Sequence, residues 1–499
     1  MPHYLLALDQ GTTSCRSILF RSDGSIVSST QRPFRQYYPQ PGWVEHDPNE
    51  ILSVQVSTLQ ETVAKANIPV QDIVGLGITN QRETIVVWDR QTGQPVYPAI
   101  VWQCRRTADL CQTLKDEGLE SFVRERTGLP IDAYFSATKL TWLFRQMPEL
   151  RRRAERGELL AGTIDSWLIW HLTGRQNHIT DVTNASRTLL MNIDRGEWDE
   201  SLLKIFGIPR QILPDIVPSS HRIGLVDPAI LPGQIPICGV AGDQQASLFG
   251  QACVKPGMTK NTYGTGCFIL MYTGQKKVVS HNGLLTTVAW DLGYGLTYAL
   301  EGSVFNAGSA IQWLKEEVGL IDTYAACDQL ASSVPDSSGV QFVPAFTGLG
   351  APYWNMNARG MMLGLTRGSG RAQIARAVLE SIAHQSSDIL DCMKQDAFSQ
   401  IPVLRVDGGA SVSDWTMQFQ SDISGLYVDR ATLTETTAWG AASLAGLACG
   451  LWPDTEKMND GRQSGRLFQP RMPQPEREAS RAAWKKAVQT ACFYAQTES

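Results

Sequence analysis

Apolar runs and short polar breaks alternate along this chain in a way that predicts most of its elements. Residues 4–8, 17–20 and 25–29 read as three strands joined by tight turns. Asp47-Pro48-Asn49-Glu50 predicts a helix start: a capping side chain, Pro in the first turn and Glu three residues on, with the helix running to about residue 65. Strands are expected at 73–79 and 85–88, and helices near 105–117, 138–146 and 165–172. The pattern restarts with strands at 259–262 and 268–271 around a second tight turn. Over 372–394, Ile374, Val378, Leu379 and Ile382 share one face of a long helix. Leu404 to Asp407 reads as a strand running into Gly408-Gly409, and a Pro-rich, charged stretch from Gln469 to Glu476 leads into a final helix. Alternating strands and helices predict an α/β fold. A chain of 499 residues exceeds one ordinary core. Two domains are therefore expected, 1–250 and 251–499, with the crossing placed within 241–257.

Composition narrows the classes. Net charge is −5 and hydrophobic content 43%, which fits a globular protein and favours neither nucleic acid nor an acidic membrane surface as partner. Ten cysteines stand singly with no Cys-x-x-Cys, a usage that fits a reducing compartment, and seven histidines lack metal-type spacing. Met1 to Leu8 has no basic n-region, and no stretch approaches the roughly 18 apolar residues of a membrane span. A cytoplasmic chain without a membrane span is expected.

Two of the turns share a chemistry. Asp9-Gln10-Gly11-Thr12-Thr13-Ser14 and Tyr263-Gly264-Thr265-Gly266 each set hydroxyls and glycines between apolar strands. Such a turn offers a polyphosphate many donors and little bulk. An ordinary β-hairpin uses the same residues. The recurrence, with Val406-Asp407-Gly408-Gly409 as a third glycine turn, predicts a nucleotide held between two related halves. Phosphate repels Asp9, so Asp9 is expected to hold Mg²⁺ through water, with Arg16 reaching a phosphate or a neighbouring carboxylate. Asp243 follows an apolar strand and reads as a helix N-cap or as a general base for a hydroxyl attacking phosphorus. Asn80-Gln81-Arg82-Glu83 interrupts two strands. It is either a solvated turn or a polyol site, in which Arg donates and Glu accepts. Trp102 and Tyr134 are core residues or the apolar walls of that site.

These blocks resemble the FGGY carbohydrate kinases over nearly the whole chain. The resemblance is carried by Asp9-Gln10-Gly11-Thr12-Thr13-Ser14, Pro41-Gly42-Trp43-Val44-Glu45-His46-Asp47-Pro48, Thr79-Asn80-Gln81-Arg82-Glu83-Thr84 and Ile100-Val101-Trp102-Gln103-Cys104-Arg105-Arg106. It continues in Ala241-Gly242-Asp243-Gln244-Gln245, Asn261-Thr262-Tyr263-Gly264-Thr265-Gly266 and Pro344-Ala345-Phe346-Thr347-Gly348-Leu349-Gly350-Ala351-Pro352-Tyr353-Trp354. Two further signatures run from Tyr134 through Lys139 and Trp142 to Gln146, and from Gly360 to Glu380. The Asn-Gln-Arg-Glu block separates the chain from the pentulose kinases of the family.

The resemblance implies two actin-like (ribonuclease H-like) ATPase domains with a cleft between them. It implies ATP and Mg²⁺ as cofactors and glycerol as acceptor, giving sn-glycerol 3-phosphate and ADP. It implies that Arg82, Glu83, Trp102, Tyr134, Asp243, Gln244 and Phe268 line the acceptor site. Thr12, Thr13, Ser14, Arg16, Thr265, Gly308, Gln312, Gly409 and Ser413 would hold the nucleotide. Asp243 would be the base and, with Asp9, a metal ligand. A homo-oligomer, dimer or tetramer, is expected. There are three departures. Ser413 stands where the family often has Asn, and Cys15 where many members have Ser. Leu231-Pro232-Gly233-Gln234-Ile235-Pro236 lacks the Gly-Gly-Thr-Arg run with which some bacterial members bind a sugar bisphosphate. Two rival readings remain open: a kinase of another small polyol or ketose, and a nucleotide-gated binding protein on the same fold.

Overall fold

The first apolar run becomes the centre of a sheet because both of its faces are covered. The computed structural model describes residues 3–459 and 464–497. In it β1 (Tyr4–Gln10), β2 (Ser14–Arg21) and β3 (Ile26–Pro33) form an antiparallel meander. The helix α1 (Pro48–Ala66) leads to β4 (Ile73–Asn80), which lies parallel to β1. The next strand, β5 (Ile85–Asp89), leaves this sheet for a separate four-stranded one. With β6 (Ser220–Leu225) and β7 (Pro236–Gly242) the first sheet has the order β6-β7-β4-β1-β2-β3. Leu6 and Leu8 pack with Ile51 and Leu59 of α1, while Leu5 and Ala7 face the other way. A strand covered on both faces reads as a continuous apolar run.

The second half repeats the plan. The helix α2 (Asp243–Gly250) follows β7, and β8 (Thr259–Tyr263) pairs with β9 (Cys267–Gly274) as an antiparallel hairpin. After β10 (Leu285–Asp291) and β11 (Leu296–Val304) come the helices α3 (Gly308–Glu316) and α4 (Arg371–Ala397). The chain then enters β12 (Leu404–Asp407), parallel to β8 as β4 is to β1, and continues to β13 (Val428–Ala431). The sheet order is β10-β11-β9-β8-β12-β13, closed by β14 (Ser464–Phe468). Two sheets on one strand plan are the two-domain α/β arrangement expected from the sequence.

The halves interlock through α5 (Thr436–Ala448), which follows β13 in sequence but lies on the first sheet. Its sequence is mostly small residues, and its backbone comes so close that a Cβ on Gly77 or Gly239 would overlap the Ala441 carbonyl. Gly440 likewise sits against the Ala246 carbonyl of α2. Backbones approach this closely only where Cβ is absent.

Several boundaries differ from the sequence reading. The segment 241–257, where the crossing between halves was expected, contains the end of β7 and all of α2 ahead of the loop to β8. The helix expected from Arg105 is Ala108–Asp116; the Arg105 N–H donates to the Gly42 carbonyl at 2.8 Å and its guanidinium to Asp132 at 2.6 Å. Asp47 caps α1 as expected, but Glu50 accepts from the Arg35 N–H at 3.0 Å instead of closing a capping box. The final helix already starts within the Pro-rich stretch, as Gln474–Thr497. Among the described residues no helix is long and apolar enough to cross a membrane.

Candidate active site

Three neighbouring parallel strands end level with one another. In β1, β4 and β7 the register pairs Gln10 with Asn80 and Asn80 with Gly242. The residues that follow, Gly11-Thr12-Thr13, Gln81-Arg82-Glu83 and Asp243, therefore gather at one edge of the sheet. That edge, beyond the carboxyl ends of parallel strands, is where open α/β sheets hold ligands. The second half does the same: Thr262 of β8 pairs with Asp407 of β12, which sets Gly264-Thr265-Gly266 beside Gly408-Gly409. Gly408 has φ 88°, and a Cβ there would overlap the Tyr263 backbone, so only glycine lets the two turns meet.

The polar break at Arg82-Glu83 is the corner at which the chain leaves the first sheet for the four-stranded one. Thr84 N–H donates to the Arg82 carbonyl at 2.7 Å, a three-residue turn centred on Glu83 with φ 61°. Positive-φ turns of this kind are rare for a residue with a Cβ and are kept where surroundings fix them. Here the surroundings are charges. The Arg82 guanidinium donates to both oxygens of Glu301, on β11, at 2.6 and 2.8 Å. It also donates to Gln245 Oε1 at 3.2 Å and turns Nε toward Asp243 Oδ1 at 3.2 Å. Arg187 donates to Glu83 at 2.6 Å and to Glu301 at 3.1 Å. All four of Arg82, Glu83, Arg187 and Glu301 are buried. Burial opposes the charge on Glu301, but Arg187 and Arg82 overcome it and hold its carboxyl at about 2. On Glu83 burial wins, and its pKa is raised despite the same two arginines.

Aromatic rings wall this corner. Trp102 meets Tyr134 edge-on at 5.6 Å and Phe268 at 6.3 Å. Its indole N–H donates to Thr12 Oγ1 at 3.0 Å, which ties the wall to the first phosphate-type turn. Tyr134 Oη receives Arg82 Nη2 at 3.5 Å. The backbone of Tyr134 and Phe135 is pinned by the buried ammonium of Lys139 at 2.5 and 3.1 Å. Charged groups with apolar walls suit a small polyhydric alcohol, whose hydroxyls need donors and acceptors while its C–H faces need neither.

Asp243 opens onto this space. It is the first residue of α2 and not its cap, since Gly242 holds the N-cap position. Its carboxylate accepts from the Gln244 N–H at 2.8 Å and keeps 32% side-chain exposure beside the buried Arg82. Gln244 in turn accepts from Lys260 Nζ at 2.6 Å. Burial lowers the Lys260 ammonium to about 8, while Asp407 and Asp243 pull it upward. Asp9 pairs across the hairpin with Arg16. Burial raises its carboxyl to about 6, with Arg16 lowering and Asp243 raising it. Arg16 itself is ion-paired with Glu435. Among the described residues no three His, Cys, Asp or Glu side chains group for a metal. Two carboxylates, Asp9 and Asp243, still fit Mg²⁺, which is commonly held by one or two carboxylates with water and phosphate completing its shell.

The nucleotide-side residues are more scattered. Thr13 and Thr265 are exposed, and Ser14 Oγ accepts from Gln31 at 2.8 Å. Gly308 lies on the second turn, its N–H donating to the Gly264 carbonyl at 3.0 Å. Gln312 pairs with Glu316 at 2.8 Å. Around Gly409 no atom lies within 4 Å of where a Cβ would be. Ser413 caps the helix Asp414–Ser424 and donates to Asp328 at 2.8 Å. Gln312, Gly409 and Ser413 share no hydrogen bond with the acceptor cluster. The Cys15 thiol is buried against the Ile51 carbonyl at 3.7 Å, and burial pushes it to about 12.

Sequence reasoning missed Arg187, Glu301, Lys260 and Gln245. The available signal was a lone charge inside a largely apolar strand, Glu301 in Leu296–Val304; Lys260, set among polar residues in Thr259–Tyr263, carried no such signal. Such a charge needs a buried partner.

The family model described as the N-terminal domain of the FGGY family of carbohydrate kinases matches residues 4–250, and that of its C-terminal domain matches 259–449. The chain is 56% identical to a glycerol kinase of Symbiobacterium thermophilum, the alignment covering 98% of each chain. It is 54% identical to glycerol kinase 2 of Thermotoga maritima, covering 97% of this chain and 98% of that one. Among solved structures, Plasmodium falciparum glycerol kinase with ADP superposes with a TM-score of 0.92 at 38% identity, covering 98% of both chains.

Proposed function

The chain belongs to the FGGY family of carbohydrate kinases, and on that premise we propose that it transfers the γ-phosphoryl group of ATP to a terminal hydroxyl of glycerol, giving sn-glycerol 3-phosphate and ADP. One observation carries the acceptor assignment. The corner of Arg82, Glu83, Trp102, Tyr134 and Phe268 combines buried, mutually fixed charges with aromatic walls and opens at a single carboxylate. Similarity to glycerol kinases over almost the full length supports the same reading, as does a relative crystallised with ADP. We divide the chain functionally at residues 250 and 251, the first half giving the acceptor site and first phosphate turn, the second the adenosine side.

The chemistry follows from position. Asp243 accepts the hydroxyl proton as the glycerol oxygen forms its bond to the γ-phosphorus and the bond to the ADP oxygen breaks in line. Arg82 Nε fixes the direction of the Asp243 carboxylate, and Arg82 with Glu83 orients the two hydroxyls that do not react. Trp102, Tyr134 and Phe268 exclude water, the competing nucleophile, from the attacking position. Thr12, Thr13 and Thr265 offer hydroxyls to the phosphates from the two hairpin turns. Mg²⁺, held by Asp9 and Asp243, would neutralise charge on the phosphate oxygens.

The test is ADP release measured in parallel with glycerol, erythritol, dihydroxyacetone and xylulose, with the product identified by mass and chirality. Preference for glycerol is the expected result. Preference for a ketose would favour the rival sugar-kinase reading, and ATP turnover indifferent to any polyol would favour a nucleotide-gated binding protein.

A further inference from the structure

Two of the four buried charges at the acceptor corner have no place in the reaction described above. Arg187 and Glu301 each have 0% side-chain exposure and lie far apart in sequence. Glu301 belongs to β11 of the second sheet, yet its two oxygens are spent on the guanidiniums of Arg82 and Arg187 from the first half, at 2.6 and 3.1 Å. Arg187 closes the ring by donating to Glu83 at 2.6 Å. Its guanidinium also lies 5.6 Å from the Tyr134 ring centre and 5.3 Å from that of Phe135, beside the acceptor wall. Breaking this ring at one point strands a buried charge, because each member's main partner is another member. Arg82 freed from Glu301 would have Asp243, 3.2 Å from its Nε, as its remaining close carboxylate outside Glu83. It would then swing off the acceptor.

We propose that Arg187 and Glu301 are positioning residues of the acceptor site, Glu301 fixing Arg82 from the second sheet and Arg187 fixing Glu83, so that recognition of the polyol depends on a buried ion ring spanning both halves. The inference rests on the glycerol reading above. It adds that the acceptor contacts are set from the half that carries the adenosine side, which makes acceptor binding sensitive to how the halves meet.

Glu301→Gln tests it, since the amide keeps the shape and loses the charge. The expected result in steady-state ADP release is a KM for glycerol raised about tenfold or more, with the KM for ATP within about twofold of wild type. Circular dichroism and thermal unfolding report the fold. Arg187→Lys, which keeps the charge but cannot bridge two carboxylates in fork geometry, should move the same constant, and Arg187→Met should move it further. A folded E301Q with unchanged glycerol KM overturns the proposal, as does an equal rise in both KM values. If E301Q does not fold, R187K decides by the same two constants. A wild-type chain inactive on glycerol would remove the acceptor reading and this inference together, whereas an active wild type beside an unaffected E301Q removes the inference alone.

Discussion

At the corner proposed for the acceptor, Arg82, Glu83, Arg187 and Glu301 are buried and each is spent on another. Among the residues proposed for the nucleotide, Thr13, Thr265 and Gly409 are exposed, and Gln312 and Ser413 are engaged with Glu316 and Asp328. One side is held together by its own ion pairs; the other is a set of exposed turns and of side chains paired with their neighbours. The difference suits the ligands. A triose polyol has few atoms with which to order a site, so the site must be ordered already. A nucleotide triphosphate carries enough charge and surface to gather loops around itself.

Four changes would break or sharpen that contrast. The largest effect is expected at the carboxylate between the two sides. Asp243→Asn should lower turnover by about 10²–10⁴-fold while glycerol and ATP still bind, because the amide keeps the shape but takes no proton. Single-turnover kinetics with equilibrium titration of both ligands would show it, and near-normal turnover would leave Asp243 a mere helix-start residue. Next, Arg82→Lys should raise the KM for glycerol about tenfold or more with little change for ATP, since an ammonium cannot hold Glu301 in two places. The matching change on the open side, Thr265→Ala, should cost less than about tenfold, and in the KM for ATP, as an exposed hydroxyl leaves no buried partner behind. An effect of Thr265→Ala as large as that of Arg82→Lys would erase the contrast.

The fourth change acts on the interlock beneath both sides. Gly77→Ala places a Cβ into the Ala441 backbone carbonyl of α5, and overpacking of this kind costs about 1–3 kcal/mol. Thermal unfolding should show the loss, and Gly409→Ala, where the position is open, should not. The smallest effect is on pH. Burial lowers His46 and His178 to about 4 and His384 to about 3, so the folded chain resists protonation that the unfolded chain accepts near 6.5. The stability these histidines contribute is full above about pH 6.5 and is lost as pH drops toward 4, while the buried carboxyls of Asp9, raised to about 6, and Asp165, raised to about 7, act in the opposite sense. Imidazole proton shifts followed by NMR from pH 7 to 4 check this, and a His46, His178 or His384 that titrates near 6.5 in the folded chain would contradict it.

The same contrast explains what the sequence could tell. The two phosphate-type turns, the strand–turn–strand plan and the carboxylate after β7 were legible because each is written in a few consecutive residues, with hydroxyls and glycines set between apolar runs. The acceptor corner was legible at Arg82-Glu83, where polar residues break a strand, and in part at Trp102 and Tyr134, which the sequence left as core or wall. Its other half was not, because Arg187 and Glu301 reach Glu83 and Arg82 across 104 and 219 positions of chain. No periodicity or local propensity reports a partner that far away. The use of Glu50 was misjudged for a related reason: the Arg35 N–H, distant in sequence, took the side chain that local rules assign to a capping box.

Calorimetric titration of the nucleotide-free chain with glycerol reaches the central claim most directly. A preassembled acceptor site predicts saturable binding of glycerol without ATP, retained in D243N, weakened about tenfold or more in R82K and absent for xylulose. Glycerol binding that appears only once nucleotide is present, or that R82K leaves unchanged, would contradict it.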